Sequence, residues 1–183
     1  MYYNPINSIV RSACADNPML IVHKHSGSHF KQGGDLQLVG DAFDPAKPDK
    51  AALWVFQVIQ VDKAGNALYQ IKNHGSGLAM GINKDNPLDG IQFAKPHAAD
   101  ETTKEARAQM WTVEIFDQWS QLLVPALHPD LYLAPMGKNP GANGGCYRPS
   151  DNPGGQPCDL NPVQIVPPKP PKDPACNADC TTC

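Results

Sequence analysis

The chain has no apolar stretch of eighteen residues, which is the length that a membrane-spanning helix needs. It also has no basic run longer than two residues, and its formal net charge is −3. Charge therefore gives no reason to expect nucleic acid or an anionic membrane as a partner. The amino terminus lacks the positive start and apolar core of a secretory signal, and no Asn-x-Ser/Thr glycosylation acceptor occurs. We expect a protein that is cytoplasmic, or secreted without a signal peptide that is recognisable in this chain.

The sequence also lacks the motifs that mark common catalytic sites. It has no Gly-x-Ser-x-Gly, no His-Glu-x-x-His and no Cys/His arrangement with the spacing of a known enzyme family. We therefore predict that the protein is not an enzyme and carries no cofactor. His23, His25 and His29 lie close together, and imidazole is the commonest metal ligand. Because no cysteine or carboxylate with zinc-ligand spacing lies beside them, we interpret this segment as a solvated loop and expect no metal.

Proline and glycine are abundant, with nineteen and fifteen residues, and 41% of the chain is apolar. This composition favours a core with many turns and disfavours long helices. A single all-β domain plus a tail fits the length of 183 residues. After residue 166 the composition changes abruptly to a proline-rich run, which favours extended polyproline II. We predict a domain over residues 1–166 and a Pro-rich linker with a cysteine-containing tail over residues 167–183.

The six cysteines fall into a domain set and a tail set: Cys14, Cys146 and Cys158, then Cys176, Cys180 and Cys183. A disulfide between Cys146 and Cys158 would close one loop and stabilise the domain by about 3 kcal/mol. The tail set has metal-like spacing but lacks a fourth ligand, and intermolecular or tail-to-domain disulfides are equally consistent with it. In a reducing compartment all six would be thiols.

The stretch from Ala67 to Trp111 and the residues just after it predict four short strands. Apolar and polar side chains alternate at residues 68–71, a glycine-rich turn follows at 73–77, and later strands are indicated at 78–80, 91–93 and 111–115. The polar loop between residues 95 and 107 contains good helix formers. We predict a short helical turn there, with its charges on a solvated face.

The four-strand pattern recurs on both sides of this stretch. Residues 19–21, 36–38 and 53–56 match those at 78–80, 91–93 and 110–113, and residues 131–133, 146–147 and 161–165 do so again. The intervals from Met19 to Trp54, from Leu78 to Trp111 and from Leu131 to Pro162 are 35, 33 and 31 residues. We infer three diverged copies of one unit.

A physical reason for such repetition is that one unit buries too little apolar surface to fold alone. Three units that close around an axis remove free sheet edges and pool their inward-facing side chains in one core. We interpret Trp54 and Trp111 as core residues, each burying on the order of 200 Å². A sugar-stacking role for these indoles is the alternative.

The middle copy combines an apolar strand, an Asn-x-Gly-Ser-Gly-Leu turn, a Gly-Ile-Gln strand and a closing Gln-x-Trp at residues 109–111. This combination resembles the ricin-B-type (R-type) β-trefoil lectins, and the resemblance covers roughly residues 5–167. It implies an all-β fold, namely a β-trefoil of three four-stranded repeats with pseudo-threefold symmetry, and it implies carbohydrate binding. The first copy keeps only the tryptophan of the closing motif, and Pro162 stands at that position in the third copy.

Galactose-binding members of the resembled family carry an aspartate after the second strand and an asparagine just before the Gln-x-Trp. The aspartate position reads His23 (or Val22), Gly81 and Ala134 here, and the asparagine position reads Ala51, Ala108 and Leu160. No copy keeps the carboxylate that would accept hydrogen bonds from a pair of sugar hydroxyls. The resemblance therefore implies a lectin whose galactose-type site is degenerate.

The candidate ligand-binding residues come from loops. Asn83, Asp85, Asn86 and Asp89 offer short polar side chains beside one turn, although the same residue types also favour the turn itself. Trp119 stands where a polar turn residue is expected. Its indole either forms a stacking platform for a sugar or folds back onto the barrel. Tyr132 is a second candidate stacking partner.

Three classes of function fit these observations. The first is a carbohydrate-binding module with glycans or glycoproteins as partners. The second is a β-trefoil protease inhibitor or protein-interaction module, with a protease or another protein as its partner. The third is an accessory module that the Pro-rich linker and cysteine tail tether to a larger assembly. None of them involves nucleic acid or a transmembrane segment.

Overall fold

The computed structural model describes residues 17–40, 42–44, 46–61, 66–136, 139–148 and 162–168. Cys14, Cys158 and the cysteine-containing tail lie outside these ranges. The strands found within them are β1 (Leu20–His23), β2 (His29–Gln32), β3 (Leu36–Val39), β4 (Trp54–Val61), β5 (Ala67–Asn73), β6 (Ala79–Ile82), β7 (Ile91–Ala94), β8 (Met110–Asp117), β9 (Ser120–Pro125), β10 (Tyr132–Pro135), β11 (Gly144–Tyr147) and β12 (Val163–Val166). A 3-10 helix (Lys50–Ala52) precedes β4, and a short α-helix, α1 (Lys104–Arg107), precedes β8.

Six of these strands close into a barrel. Neighbouring strands pair antiparallel in the order β1, β12, β9, β8, β5 and β4. A bridge between Met19, which immediately precedes β1, and Trp54 at the start of β4 completes the ring. The other strands form the hairpins β2–β3, β6–β7 and β10–β11. Closure leaves the barrel strands without free edges, which is the benefit expected from repetition.

Threefold repetition is evident in the pairing of equivalent residues. Met19 faces Trp54, Tyr69 faces Trp111 and Gln121 faces Val163, so each pair joins the start of one copy to its end. The indole N–H of Trp54 donates to the carbonyl of Phe30 at 3.1 Å, and that of Trp111 donates to the carbonyl of Met80 at 2.8 Å. The prediction of three four-strand copies is therefore confirmed.

The alignment of the copies differs from the sequence-based prediction at two points. Phe30, not a residue of the 19–21 segment, is the counterpart of Met80, because each carbonyl accepts from the tryptophan of its own copy. In the third copy the counterpart of Trp111 is Val163 and not Pro162. The prediction was wrong because two apolar segments precede Trp54, and only strand pairing decides which of them matches residues 78–80.

The core fills the barrel and centres on Trp54 and Trp111, which are both 0% exposed. Trp54 stacks on Phe93 with ring centroids 6.0 Å apart, so the predicted core role of the two tryptophans is confirmed. Cys146 lies in the same core as a free thiol, and burial raises its pKa. The predicted Cys146–Cys158 disulfide is therefore not present, and Cys158 itself lies outside the described residues.

Two of the three histidines in the histidine-rich segment are buried. His23 ends β1 with 1% exposure and its Nδ1 lies 2.9 Å from the Ser26 hydroxyl oxygen, while His29 opens β2 with 8% exposure. Only residues 24–27 between them are exposed. The prediction of a solvated loop was wrong for the two buried histidines, because β1 and β2 pair into a hairpin that the local composition does not reveal. In the described part of the chain no group of His, Cys, Asp and Glu side chains is arranged to hold a metal ion.

The helix α1 forms inside the polar loop, as predicted. The Thr103 hydroxyl caps its N terminus by accepting from the backbone N–H of Ala106 at 3.2 Å. Ala106 is 0% exposed, so it packs this turn against the barrel, while the charged side chains face outward. Neither α1 nor any other helix in the described ranges has the length and apolarity to cross a membrane.

Candidate functional site

The outer face of the central copy contains a cleft of about 230 Å³. The β6–β7 hairpin forms most of its floor, and the chain from the end of β7 through α1 to the start of β8 closes it on the other side. The residues that line it are Gly81, Ile82, Asn83, Lys84, Asp85, Gln92, Ala94, His97, Glu105, Ala108 and Gln109. The cleft therefore draws on three separate stretches of sequence that the repeat brings together.

The floor of the cleft is bare because Gly81 has no side chain. Gly81 pairs with Gln92 across the β6–β7 hairpin. The next residue, Ile82, donates its backbone N–H to the Ala108 carbonyl at 3.0 Å, which draws the loop before β8 close to the strand. A Cβ on Gly81 would lie 2.8 Å from that carbonyl oxygen. No larger residue fits at position 81 unless this loop moves away.

Asn83 organises the turn that forms one wall. Its side-chain oxygen accepts from the backbone N–H groups of Asp85 and Asn86 at 3.0 and 3.2 Å. Its side-chain nitrogen donates to Asp89 at 3.3 Å. Of the four predicted polar residues, Asn83 and Asp85 line the cleft, whereas Asn86 and Asp89 do not.

A network of ion pairs joins this wall to α1. Lys84 lies 3.0 Å from Asp85 and 3.2 Å from Glu105, and Lys104 lies 3.1 Å from Asp85. Hydrogen bonds from Lys84 and then Lys104 lower the pKa of Asp85. The pKa of Glu105 is lowered by a bond to its own backbone and then by Lys84, and the pKa of Lys84 is raised, chiefly by Asp85. Both carboxylates are thus ionised at neutral pH and available as acceptors.

Gln109, the glutamine of the Gln-x-Trp motif, holds the opposite wall in place. Its Nε2 donates to the Lys95 carbonyl at 3.0 Å, and its Oε1 accepts from the backbone N–H of His97 at 3.0 Å. Gln70 donates to the His97 carbonyl at 3.2 Å and to Gln109 Oε1 at 3.4 Å. The His97 ring also lies 2.9 Å from Glu101, and that hydrogen bond is the main cause of the lowered pKa of Glu101. The loop at residues 95–97 is therefore attached to the barrel through two buried amides.

Replacing Gln109 by alanine should lower the free energy of unfolding by about 1–3 kcal/mol, because the Lys95 carbonyl and the His97 N–H lose their partner. Urea unfolding would measure this loss, and amide exchange at His97 would show that the loop opens. Gln118→Ala, in an exposed turn, is the matched control and should leave both measurements unchanged. Equal effects of the two variants would contradict the clamping role of Gln109.

The two aromatic candidates do not reach the cleft. Trp119 lies in the turn between β8 and β9 and is 70% exposed. β8 is eight residues long and starts beside the cleft, so its far end is about 25 Å away at about 3.4 Å per residue. Tyr132 is 3% exposed and packs with Val124 and Tyr147. Trp119 is therefore a separate exposed platform, and Tyr132 is not accessible for stacking on a sugar.

The structure also places the positions that hold the galactose-binding aspartate in the resembled family. The three equivalent residues are Lys31, Gly81 and Ala134, because they occupy the same pairing position in the three hairpins. Lys31 and not His23 is thus the first-copy position, and it forms an ion pair with Asp49. None of the three side chains is a carboxylate.

Nine of the eleven residues that line the cleft were not among the predicted ligand-binding residues, and those with polar side chains are Lys84, Gln92, His97, Glu105 and Gln109. Gln92 alternates with the inward-facing Ile91 and Phe93, so strand periodicity alone marks it as outward-facing. For His97 and Glu105 no local signal exists, because their place in the cleft depends on how the loop before β8 packs.

Comparison with known proteins bears on the fold. No protein-family model matches the chain, and no curated protein matches its sequence. Among solved structures, the chain is similar to the designed threefold-symmetric protein ThreeFoil, with a TM-score of 0.58 and 16% identity over 82% of this chain and 99% of that chain. The BEL β-trefoil gives a TM-score of 0.56 at 14% identity over 82% and 93% of the two chains. SeviL, solved bound to asialo-GM1 saccharide, gives 0.50 at 13% identity over 82% and 97%.

At these low identities the likeness establishes the fold, and membership of the ricin-B family stays a prediction. The order of strands, the closed barrel and the three hairpins agree with it. The chain is an all-β protein with the β-trefoil fold.

Proposed function

We propose that this β-trefoil protein is a carbohydrate-binding module and that the cleft of its central copy holds the sugar. The observation that carries the proposal is a cleft with a bare floor and a polar rim. Its walls are held by hydrogen bonds and ion pairs within the protein. Its volume of about 230 Å³ is below the 300–1,000 Å³ typical of drug-sized ligands. The cleft therefore suits a single sugar ring rather than a long chain.

The rim offers the mixture of groups that sugar hydroxyls need. Each hydroxyl donates one hydrogen bond and accepts others. Asp85 and Glu105 are ionised and accept charge-assisted bonds, while Lys84 and the exposed amide of Gln92 donate. Binding at the rim would replace the aspartate that Gly81 cannot supply. A galactose site of the type found in the resembled family is not part of the proposal.

The comparison with SeviL supports this proposal, because that β-trefoil was solved with a bound saccharide. The support is limited to the architecture, in which variable loops stand on a rigid barrel.

Replacing Asp85 by alanine should weaken glycan binding at least about tenfold, since a charge-assisted acceptor at the rim is lost. A glycan array would identify the ligand, and titration followed by NMR would measure the dissociation constant. Asp85 is exposed, so the variant should fold normally. Asp130→Ala is the matched control, because Asp130 forms a similar exposed ion pair with Arg148 in the third copy.

The same set of measurements includes Trp119→Ala, which removes the other candidate platform. We expect unchanged glycan binding, because the indole lies at the far end of β8. Loss of binding in Trp119→Ala but not in Asp85→Ala would move the site to the β8–β9 turn. Absence of any glycan signal for the unmodified chain would refute carbohydrate binding.

A protein-interaction module is the second candidate, and one feature favours it. Ile115, Phe116 and Trp119 are 48%, 43% and 70% exposed and lie together at the end of the β8–β9 hairpin. Contiguous exposed apolar side chains often mark a contact surface for another protein. Inhibition of a papain-like or trypsin-like protease that is lost in Trp119→Ala, without any glycan signal, would favour this function.

A further inference from the structure

The floor of the cleft consists of three small residues from three segments. Gly81 belongs to β6, Ala94 to the end of β7, and Ala108 to the loop before β8. Gly81 and Ala94 are on the outward side of their strands, because Met80 and Ile82 face the core in β6 and Ile91 and Phe93 face it in β7. The floor is therefore made of small residues without polar side chains, of which Ala94 exposes its methyl group while Gly81 and Ala108 are buried.

The polar groups next to this floor already have hydrogen-bond partners within the protein. The Ala108 carbonyl accepts the N–H of Ile82 at 3.0 Å. The side chain of Gln109 is occupied by the Lys95 carbonyl and the His97 N–H. A sugar hydroxyl pressed against the floor would lose its hydration without gaining a partner, which is unfavourable. A methyl group in the same place has no hydrogen bond to lose and gains from burial.

From this contrast we infer that the cleft selects monosaccharides that carry a methyl group and places that methyl group on the floor formed by Gly81, Ala94 and Ala108. The inference rests on the proposed function and adds the class of sugar. Two substituents supply such a methyl group: an acetamido group and the C6 methyl of a 6-deoxy sugar. An acetamido group also has one N–H donor and one carbonyl acceptor, which match the carboxylates and the Gln92 amide at the rim.

Matched pairs of sugars test the inference. N-acetylglucosamine against glucose and N-acetylgalactosamine against galactose isolate the acetamido group, and L-fucose against L-galactose isolates the 6-deoxy methyl. Binding would be followed by NMR at the backbone amides of Gly81, Ala94 and Ala108. In at least one pair the methyl-bearing sugar should bind about tenfold more tightly or better, which is the lower end of the discrimination that one apolar carbon gives in a fitted pocket.

The variant Ala94→Val fills the floor and should abolish the difference in affinity within that pair, because the added methyl groups occupy the space that the substituent of the sugar would take. Ala94 is exposed on a strand, where a β-branched residue is well accommodated, so the fold should persist. Ala99→Val is the control, because Ala99 is exposed in a loop outside the cleft. This control should keep the full preference.

The outcomes separate this inference from the function on which it rests. Equal affinities within every pair, together with binding that Asp85→Ala still weakens, would overturn the methyl selectivity and leave carbohydrate binding in place. A preference that Ala94→Val does not change would also overturn it, because the methyl group would then lie elsewhere. If no sugar bound at all, the proposed function would fail together with the inference.

Discussion

Replacing Trp111 by alanine should lower the free energy of unfolding by about 3–5 kcal/mol, the range measured for large aromatic side chains removed from cores. Trp111 is 0% exposed, faces Tyr69 across the barrel strands and donates its indole N–H to the Met80 carbonyl at 2.8 Å. Truncation would leave a cavity in the core of the barrel and would also leave that carbonyl without its partner. Because domains are stable by only about 5–15 kcal/mol, this is a large share of the total.

Urea unfolding of Trp111→Ala and of Trp111→Phe would separate the two contributions. The phenylalanine variant keeps most of the apolar volume and loses the hydrogen bond, so its cost should be clearly smaller. Trp119→Ala is the control, because that indole is 70% exposed and a surface substitution usually changes stability by less than about 0.5 kcal/mol. A loss in Trp111→Ala as small as that in Trp119→Ala would contradict its place in the core.

Replacing Asn73 by alanine should lower the free energy of unfolding by about 2–3 kcal/mol, because three backbone groups would lose at once the partner that this buried side chain supplies. Asn73 ends β5 and is 1% exposed. Its side-chain nitrogen donates to the Ala51 carbonyl at 2.7 Å, and its side-chain oxygen accepts from the N–H groups of Gly75 and Ser76 at 2.9 and 3.1 Å. One amide thus closes the β5–β6 turn and ties it to the segment before β4, in the first copy.

Asn73→Asp distinguishes the two halves of this amide. The aspartate keeps an acceptor for the turn and loses the donor to Ala51, against whose carbonyl it places a negative charge. We therefore expect Asn73→Asp to destabilise at least as much as Asn73→Ala in urea unfolding at neutral pH. Asn86→Ala, at an exposed position, is the control and should have little effect. Wild-type stability in both Asn73 variants would show that the contact between the copies does not depend on this side chain.

The sequence predicts the repeated unit well because the unit is encoded locally. Alternation over residues 68–71 and the turn chemistry of 73–77 depend on neighbours in the chain, and both appear in β5 and the turn that follows it. The burial of Trp54 and Trp111 follows from their large apolar rings and their repeated position. Asn83 and Asp85 were found as site candidates for a similar reason, since short polar side chains beside a turn are a local feature.

The predictions of register and burial that were wrong have a different cause. The prediction placed Pro162 at the position that Val163 occupies, and it placed residues 19–21 at the position that Phe30 and its neighbours occupy. Both errors arise because the register of a strand is defined by its partner strand and not by the segment itself. The burial of His23 and Tyr132 likewise depends on what packs over them. The residues next to each position in the sequence do not show which strand pairs with it or which element packs over it.

The sequence by itself determined that the chain is all-β, that it repeats three times and that its tryptophans form the core, because hydrophobic alternation and turn residues act over a few positions. Only the tertiary structure decided that Asn83, Asp85, Gln92, His97 and Glu105 surround one cleft with Gly81, Ala94 and Ala108 as its floor. Apart from Ala108, these residues span 25 positions of the chain, from 81 to 105. They meet because the β6–β7 hairpin and α1 are both packed against the closed barrel, and such long-range packing is a property of the whole fold.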